Sequence, residues 1–261
     1  MSADGPRSGS SSEGGAAAAL SGLQIQTVGR GGRFSADDVR AAIHPNDVHL
    51  APTTLLAVEN THNSAGGRVF PPTPLDEAVA AARDAGLAVH LDGARLWNAA
   101  VALGASLDAL AAPFDTVSVC LSKGLGAPAG SLVAGSRERV EGLRRIRKMF
   151  GGGMRQAGVL AAAGLHAVEH QRERLAEDHT NARELAGGLT ALGLPPESPP
   201  ETNIVIFRVK DDAGFRRTAA ERGVLLSGSG PGRVRAVTHL DVTAADVDDA
   251  VDRLKPILGA H

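Results

Sequence analysis

Three polar segments hold the side chains whose types and spacing could do chemistry, and each follows a short apolar run. The segments are ENTHNSAGG (59–67), DGAR (92–95) and SKGLGAPAGS (122–131). In open α/β sheets, ligands bind at the carboxyl ends of the strands. We therefore expect the three segments to converge on one site, because each comes at the end of a predicted strand.

Lys123 is the first candidate for a reacting group. It stands just after the apolar run TVSVCL (116–121) and before Gly124, Gly126 and Gly130. A lysine held on a rigid turn beside a sheet can be partly desolvated, which frees its amine for Schiff-base chemistry. The alternative is a surface lysine on a flexible loop, which is the commoner situation for a lysine considered alone.

Asp92 and Arg95 form the second candidate group. Asp92 follows the apolar run LAVHL (87–91), and a buried carboxylate at that place requires a cationic partner. The protonated pyridine nitrogen of pyridoxal phosphate is such a partner. Arg95 could bond the phenolic oxygen of that cofactor, or it could pair with Asp92 in a structural salt bridge.

His62 and a glycine-rich segment complete the candidates. His62 lies in a loop between Asn60 and Asn63, where a histidine can act as a general base, orient a hydroxyl group, or satisfy only backbone groups. RKMFGGGMRQ (147–156) joins two predicted helices through three glycines. Its amides and positive charge suit a phosphate group or a neighbouring subunit, and a plain helix–helix turn is the alternative.

The elements that position these residues alternate between strands and helices. The alternating segment 23–28 and the apolar runs at 55–58, 87–91 and 116–121 predict strands, with 131–134 as a neighbour. Helices are predicted at 36–43, capped by Ser35, and at 75–85. This alternation implies βαβ units and a mostly parallel sheet, so the predicted fold class is α/β.

The second half of the chain has a different pattern. Residues 137–190 predict two or three helices, and the proline cluster LPPESPP (194–200) predicts a linker or a domain boundary. We therefore predict a disordered start at 1–15, a large α/β domain at 16–193 and a small α+β domain at 201–261. The elements predicted in the small domain are strands at 203–209 and 233–237 and helices at 215–222 and 244–254, the last of which is capped by Thr243.

Composition excludes several classes of protein. There are 27 Lys and Arg against 29 Asp and Glu, a formal net charge of −2, so a nucleic-acid partner bound by bulk basicity is not expected. Apolar stretches fall short of the ~18 residues of a membrane helix, so we expect no membrane partner. Cys120 is the only cysteine, which excludes an intrachain disulfide and a Cys-rich zinc site and suits a reducing cytoplasm.

Several segments together resemble the low-specificity L-threonine aldolases, which are pyridoxal-phosphate enzymes of the aspartate aminotransferase-like fold (fold type I). The resemblance covers about residues 12–257, and the segments occur in the order of that family. They are ENTHNSAGG, HLDGARLWNAA, SVCLSKGLGAPAGSL, RKMFGGGMRQAGVLAAAG, ETN and RAVTHLDV.

The resemblance implies roles for the cofactor site. Lys123 would form the Schiff base with pyridoxal 5'-phosphate, and Asp92 would bond its pyridine nitrogen. Arg95 would lie at the phenolic oxygen or the substrate, and Ser122 and Arg155 would be further cofactor-binding residues.

The resemblance also implies the reaction. The substrates would be L-threonine and L-allo-threonine, cleaved to glycine and an aldehyde by a homo-tetramer or homo-dimer. His62 would lie at the β-hydroxyl group, as base or as orienting group, and Arg235 would bind the substrate carboxylate. The alternatives are another pyridoxal-phosphate lyase and a non-catalytic remnant that survives as a subunit.

The start of the chain departs from the family pattern. The family's Gly-Thr phosphate loop and the histidine that stacks on the cofactor ring precede the matched segment, and Ser8 falls about where that histidine should be. Only 3% of the residues are aromatic, and there is no tyrosine. We therefore expect an N-terminally truncated aldolase with weak or absent activity.

Overall fold

The structure of the protein is a computed structural model that describes residues 2–3 and 13–260. The predicted disorder at 1–15 concerns mainly residues 1 and 4–12, which lie outside the described residues. The first elements are β1 (Ser2–Ala3), α1 (Ala16–Ser21), β2 (Thr27–Val28) and α2 (Ala36–Ala42).

The alternating segment 23–28 predicts a longer strand than the structure contains. Only β2 is extended in a sheet, where it pairs in parallel with the equally short β1. Leu23 is exposed, so the apolar side of this alternation does not face a core. α2 follows the sequence prediction more closely, because Ser35 caps it in a capping box with Asp38.

A four-stranded sheet carries the three polar segments. It has the order β3-β4-β5-β6, in which β3, β4 and β5 are parallel and β6 runs antiparallel to β5. This topology confirms the α/β prediction and the pairing of the last strand. The strands are β3 (Leu55–Glu59), β4 (Ala88–Gly93), β5 (Thr116–Cys120) and β6 (Ser131–Gly135).

Helices connect these strands and cover the sheet. Alternation along β3 buries Leu56 and Val58, and β4 buries Val89 and Leu91, so one apolar face packs against the crossover helices. The helices are α3 (Pro72–Asp84), α4 (Leu96–Leu103) and α5 (Leu107–Ala111).

Three helices follow the sheet, within the two or three predicted. They are α6 (Arg137–Met149), α7 (Gly158–His170) and α8 (Leu175–Ala191). α6 buries no residue, whereas α8 buries eight and packs against α4 beside the first sheet and against the C-terminal elements. No helix in the described ranges is long and apolar enough to cross a bilayer.

The C-terminal elements form a second, antiparallel sheet with the order β7-β9-β8. Its core contains Phe207 and Phe215, whose rings meet edge to face. Thr243 caps the last helix, as the sequence predicts. The elements are β7 (Ile204–Arg208), α9 (Asp212–Glu221), β8 (Ser227–Gly228), β9 (Arg233–Val237) and α10 (Ala244–Leu254).

Residues just before β7 join the second sheet to the loop after β3. The Glu201 carboxylate accepts hydrogen bonds from the Arg33 guanidinium at 2.9 Å and the Val69 amide at 2.8 Å. The buried Thr202 hydroxyl donates to the Gly67 carbonyl at 2.7 Å. These contacts fix the second sheet, and therefore β9, against the polar loop of the first sheet.

Candidate active site

The structure brings the three polar segments to one edge of the first sheet. Glu59 at the end of β3 is the register partner of Asp92 in β4, and Asp92 is the partner of Ser118 in β5. The Asn60 amide donates to the Asp92 carbonyl at 3.0 Å, which ties the first two segments together. The third segment begins directly after Leu121, beyond the end of β5.

Asp92 is exposed rather than buried. Its neighbours Leu91 and Gly93 are buried, so alternation places the Asp92 side chain on the opposite, open face of β4. Its Oδ1 accepts from the Ala94 amide at 3.1 Å, and it has no ion pair with Arg95 or with any other residue that the structure describes. Its carboxylate is therefore available to a ligand.

Lys123 stands on an ordered turn, although its side chain and that of Ser122 are exposed in this single chain. The partial desolvation expected of Lys123 is thus not found in the single chain, because the lysine side chain is exposed even though the backbone of the turn packs on α8. The Gly126 amide donates to the Lys123 carbonyl at 2.9 Å, and the Ala127 amide donates to the Leu121 carbonyl at 3.0 Å. Leu125, 1% exposed, anchors the turn in a small apolar cluster.

Arg95 and Arg235 give the site a positive side. Burial lowers the pKa of Arg95, and the nearby Arg235 charge lowers it further, while Glu59, Cys120 and Asp92 oppose the shift. Arg95 has no ion pair within the described part of the chain. An anion near these two guanidinium groups would relieve their mutual repulsion.

Arg235 reaches the site from the second sheet. Its Nη1 donates to Asn63 Oδ1 at 2.7 Å, and its Nε donates to Ser227 Oγ at 3.0 Å. Nη2 has no hydrogen-bond partner among residues 2–3 and 13–260. Two bonds therefore orient the guanidinium while one donor group stays available.

His62 lies beneath the surface of the site, with 1% of its side chain exposed. Its Nδ1 accepts from the Ala65 amide at 3.2 Å, so in this arrangement Nε2 carries the proton. Nε2 lies 3.5 Å from Glu59 Oε2. A Cβ on Gly32 would come within 2.8 Å of His62 Cγ, so the Gly32 backbone closes over the ring.

Glu59 is a site residue that the sequence reasoning missed. Its side chain is 28% exposed at the edge of the site, and its Oε1 accepts from the Asn63 amide at 2.9 Å. The only signal in the sequence is its place at the start of ENTHN, one residue beyond the predicted strand. It is therefore a titratable group beside His62 that a substrate could reach.

Arg155 is not brought to these residues. It is exposed in the glycine-rich turn between α6 and α7. In this turn the Gly152 amide donates to the Arg147 carbonyl at 2.8 Å. Within one chain, the turn has the form of a helix–helix connection.

A buried polar cluster under the Lys123 turn was also missed. Asp178 and His179 in α8, with Asn98 in α4, are at most 4% exposed. The Asn98 amide donates to His179 Nε2 at 3.1 Å, so this ring is neutral. The sequence does contain a signal for this cluster. Along α8, polar residues such as Asp178 and His179 lie on the same helical face as the apolar residues that form the core.

Acid is expected to destabilise the fold through His179. Burial lowers the pKa of His179 from 6.5 to about 4, and Arg183 adds to the shift while Asp178 opposes it. Between these two pH values the unfolded chain binds a proton that the folded chain does not, so stability falls as the pH is lowered. Protonation of His179 is expected to lower the free energy of unfolding by up to about 3 kcal/mol.

The check is urea unfolding at several pH values between 7 and 4. His179→Gln, which keeps an acceptor for Asn98, should make the free energy of unfolding less dependent on pH in this window. His49→Gln, at an exposed histidine, is the matched control. An equal pH dependence in all three proteins would contradict the assignment.

Comparison with known proteins decides the family. The beta-eliminating lyase family matches residues 9–212. The chain belongs to this family. A low specificity L-threonine aldolase of Escherichia coli K12 is 43% identical over 235 residues, which is 88% of this chain and 69% of that protein. The resemblance seen in the sequence is thereby confirmed.

Solved structures show the fold of this beta-eliminating lyase. A threonine aldolase of Leishmania major superposes with a TM-score of 0.81 at 19% identity, covering 99% of this chain and 77% of that one. A structure described as SPT with a PLP internal aldimine gives a TM-score of 0.67 at 20% identity, with coverages of 92% and 63%. The predicted fold type I architecture is confirmed.

Proposed function

We propose that the protein cleaves L-threonine and L-allo-threonine to glycine and acetaldehyde, with pyridoxal 5'-phosphate as its cofactor. One observation carries the proposal: the Lys123 turn, the Asp92 carboxylate and the Arg95 and Arg235 guanidinium groups lie around one edge of the sheet, and neither arginine has an ion pair among the described residues. The names of relatives such as the E. coli protein support aldol cleavage over other lyase reactions.

The residues at this edge fit the cofactor. Lys123 would hold it covalently through Nζ, Asp92 has a free carboxylate for the pyridinium nitrogen, and Arg95 would donate to the phenolic oxygen. Ser122 beside Lys123 would donate to the cofactor as well. When bound, pyridoxal phosphate takes up the electron pair that is released as the Cα–Cβ bond breaks.

The chain's own groups would bind and orient the substrate. Arg235 would bind the carboxylate through its free Nη2 and the adjacent edge of the guanidinium. Glu59 would accept the proton of the β-hydroxyl group, because its side chain is 28% exposed whereas that of His62 is buried. The buried His62 would hold Glu59 in place through Nε2, which favours the orienting role over the role of base.

The same proposal includes a homo-oligomer, a dimer or a tetramer. α6, the following turn and the start of α7 expose large apolar side chains that a second copy would cover. Arg155 lies in this surface, from which it would reach the cofactor phosphate of a neighbouring subunit. The exposed side chains are Ile146, Met149, Phe150, Met154 and Val159.

Product analysis tests the reaction. The purified chain is incubated with pyridoxal phosphate and L-threonine, and glycine, acetaldehyde, ammonia and 2-oxobutyrate are measured. We expect glycine and acetaldehyde in equal amounts, and no reaction with L-2-aminobutyrate, which lacks the hydroxyl group. Ammonia and 2-oxobutyrate without glycine would show a β-elimination and would refute the proposal.

A further inference from the structure

The start of α8 lies directly under the turn that carries Lys123. Arg174 Nη2 donates to the Gly124 carbonyl at 3.4 Å. A Cβ on Gly124 would come within 2.7 Å of Leu175 Cδ2, so the backbone of the turn rests on this fully buried leucine. Gly124 follows Lys123 directly, and its carbonyl therefore helps to set the direction in which the lysine leaves the turn.

Asp178 holds Arg174 in this position. One turn of helix apart, the two side chains form a bidentate pair with both N–O distances at 2.8 Å. Asp178 is 0% exposed and Arg174 is 19% exposed. A carboxylate buried to this degree requires its cation, so the guanidinium is fixed in a plane that also faces the Gly124 carbonyl.

The same helix start contacts the end of β9. The Thr238 hydroxyl donates to the Asp178 carbonyl at 2.6 Å, and Asn203 Nδ2 donates to the Thr238 carbonyl at 2.9 Å. Thr238 follows β9, the strand that carries Arg235. One helix start thus supports both the lysine turn and the strand of the substrate-binding arginine.

We propose that Arg174, held by Asp178, is a positioning residue that fixes the Lys123 turn through the Gly124 carbonyl. This inference rests on the proposed function, because the position of the turn affects the reaction only if Lys123 holds the cofactor. The geometry of the turn is testable without cofactor.

The test replaces the pair by apolar residues of similar size, Arg174→Met with Asp178→Leu. Removing both charges leaves no unpaired ion in the core, and the bond from Thr238 survives because it ends on a main-chain oxygen. Amide hydrogen exchange of the chain without cofactor is then measured at Gly126 and Ala127. We expect exchange about tenfold faster at these two amides, with α8 and β5 as protected as before.

Two further variants complete the design. Arg174→Lys keeps the charge opposite Asp178 but loses the fork, and it should give an intermediate exchange rate at the turn. Arg253→Gln with Asp249→Asn removes an exposed pair with the same spacing and should leave the turn unchanged. Exchange at the turn equal to that of the original chain, or faster exchange throughout α8 and β5, would overturn the positioning role.

A second readout separates this inference from the proposed function. Pyridoxal phosphate is added, borohydride is used to fix it on lysine, and mass spectrometry locates the modification. We expect modification at Lys123, about tenfold slower in the apolar-pair variant. An original chain that is never modified at Lys123 would refute the proposed function alone, whereas equal modification rates in the two proteins would overturn the positioning role.

Discussion

Replacement of Lys123 by alanine is expected to lower the rate of threonine cleavage at least about 10³-fold, because no other group in the site can hold the cofactor covalently. Asp92, Arg95, Arg235 and Glu59 around the site supply only carboxylate and guanidinium groups. The turn itself should survive, because its hydrogen bonds run between main-chain atoms of Leu121, Lys123, Gly126 and Ala127. The loss should therefore appear in kcat and not in the fold.

The measurement is the initial rate of glycine formation, together with thermal unfolding of each protein. Lys210→Ala, at an exposed lysine outside the site, is the matched control and should retain the original rate. Lys123→Arg keeps the charge without a usable amine and should be as inactive as Lys123→Ala. Glycine formation by Lys123→Ala at more than about a tenth of the original rate would refute the assignment of Lys123.

The sheet and the convergence of the three polar segments follow from local sequence patterns. Runs such as TVSVCL are β-branched and apolar, and the ends of parallel strands necessarily meet at one edge. Capping residues are equally local: Ser35 and Thr243 each accept from the amide three residues later, as the sequence predicts. Such features depend only on residues a few positions away in the chain, so they can be predicted from a single sequence.

The burial of charged side chains could not be predicted in the same way. The apolar run before Asp92 predicts a buried carboxylate, but Asp92 lies on the open face of β4. Whether a strand face is covered depends on elements that are distant in the sequence. The pair Arg174 and Asp178 presents the opposite case. Its spacing of four residues is typical of an exposed helical salt bridge, but Thr238 and the Lys123 turn bury it.

The site also contains a relation that only the fold creates. Glu59 lies at the end of β3 and His62 lies three residues later in the following turn, so the sequence spacing does not predict that their side chains meet. The backbone at Gly32 closes over His62 and leaves Glu59 at the surface. The sequence therefore indicates a histidine in the loop, whereas in the structure the Glu59 carboxylate is the more accessible of the two groups.

Replacement of Arg235 by lysine is expected to lower kcat/KM for L-threonine about 10²-fold, mostly through a higher KM. Under the proposed function, Arg235 would bind the substrate carboxylate equally in the ground state and in the transition state, so the loss should fall on KM. Lysine keeps the positive charge but cannot donate two parallel hydrogen bonds, and it loses the bonds that Arg235 makes with Asn63 and Ser227. A hydrogen bond to a charged group contributes up to about 3 kcal/mol, and the expected factor corresponds to the upper part of this range.

Steady-state kinetics with L-threonine over a wide concentration range separates KM from kcat. Arg208→Lys is the matched control, because Arg208 lies in the neighbouring strand β7 with 68% of its side chain exposed and, among the described residues, pairs only with Glu197. Asn63→Ala should give a smaller rise in KM, since it removes one of the two bonds that orient Arg235 while leaving the guanidinium in place. An unchanged KM in Arg235→Lys would mean that the carboxylate is bound elsewhere, and Arg95 would then be the guanidinium that binds it.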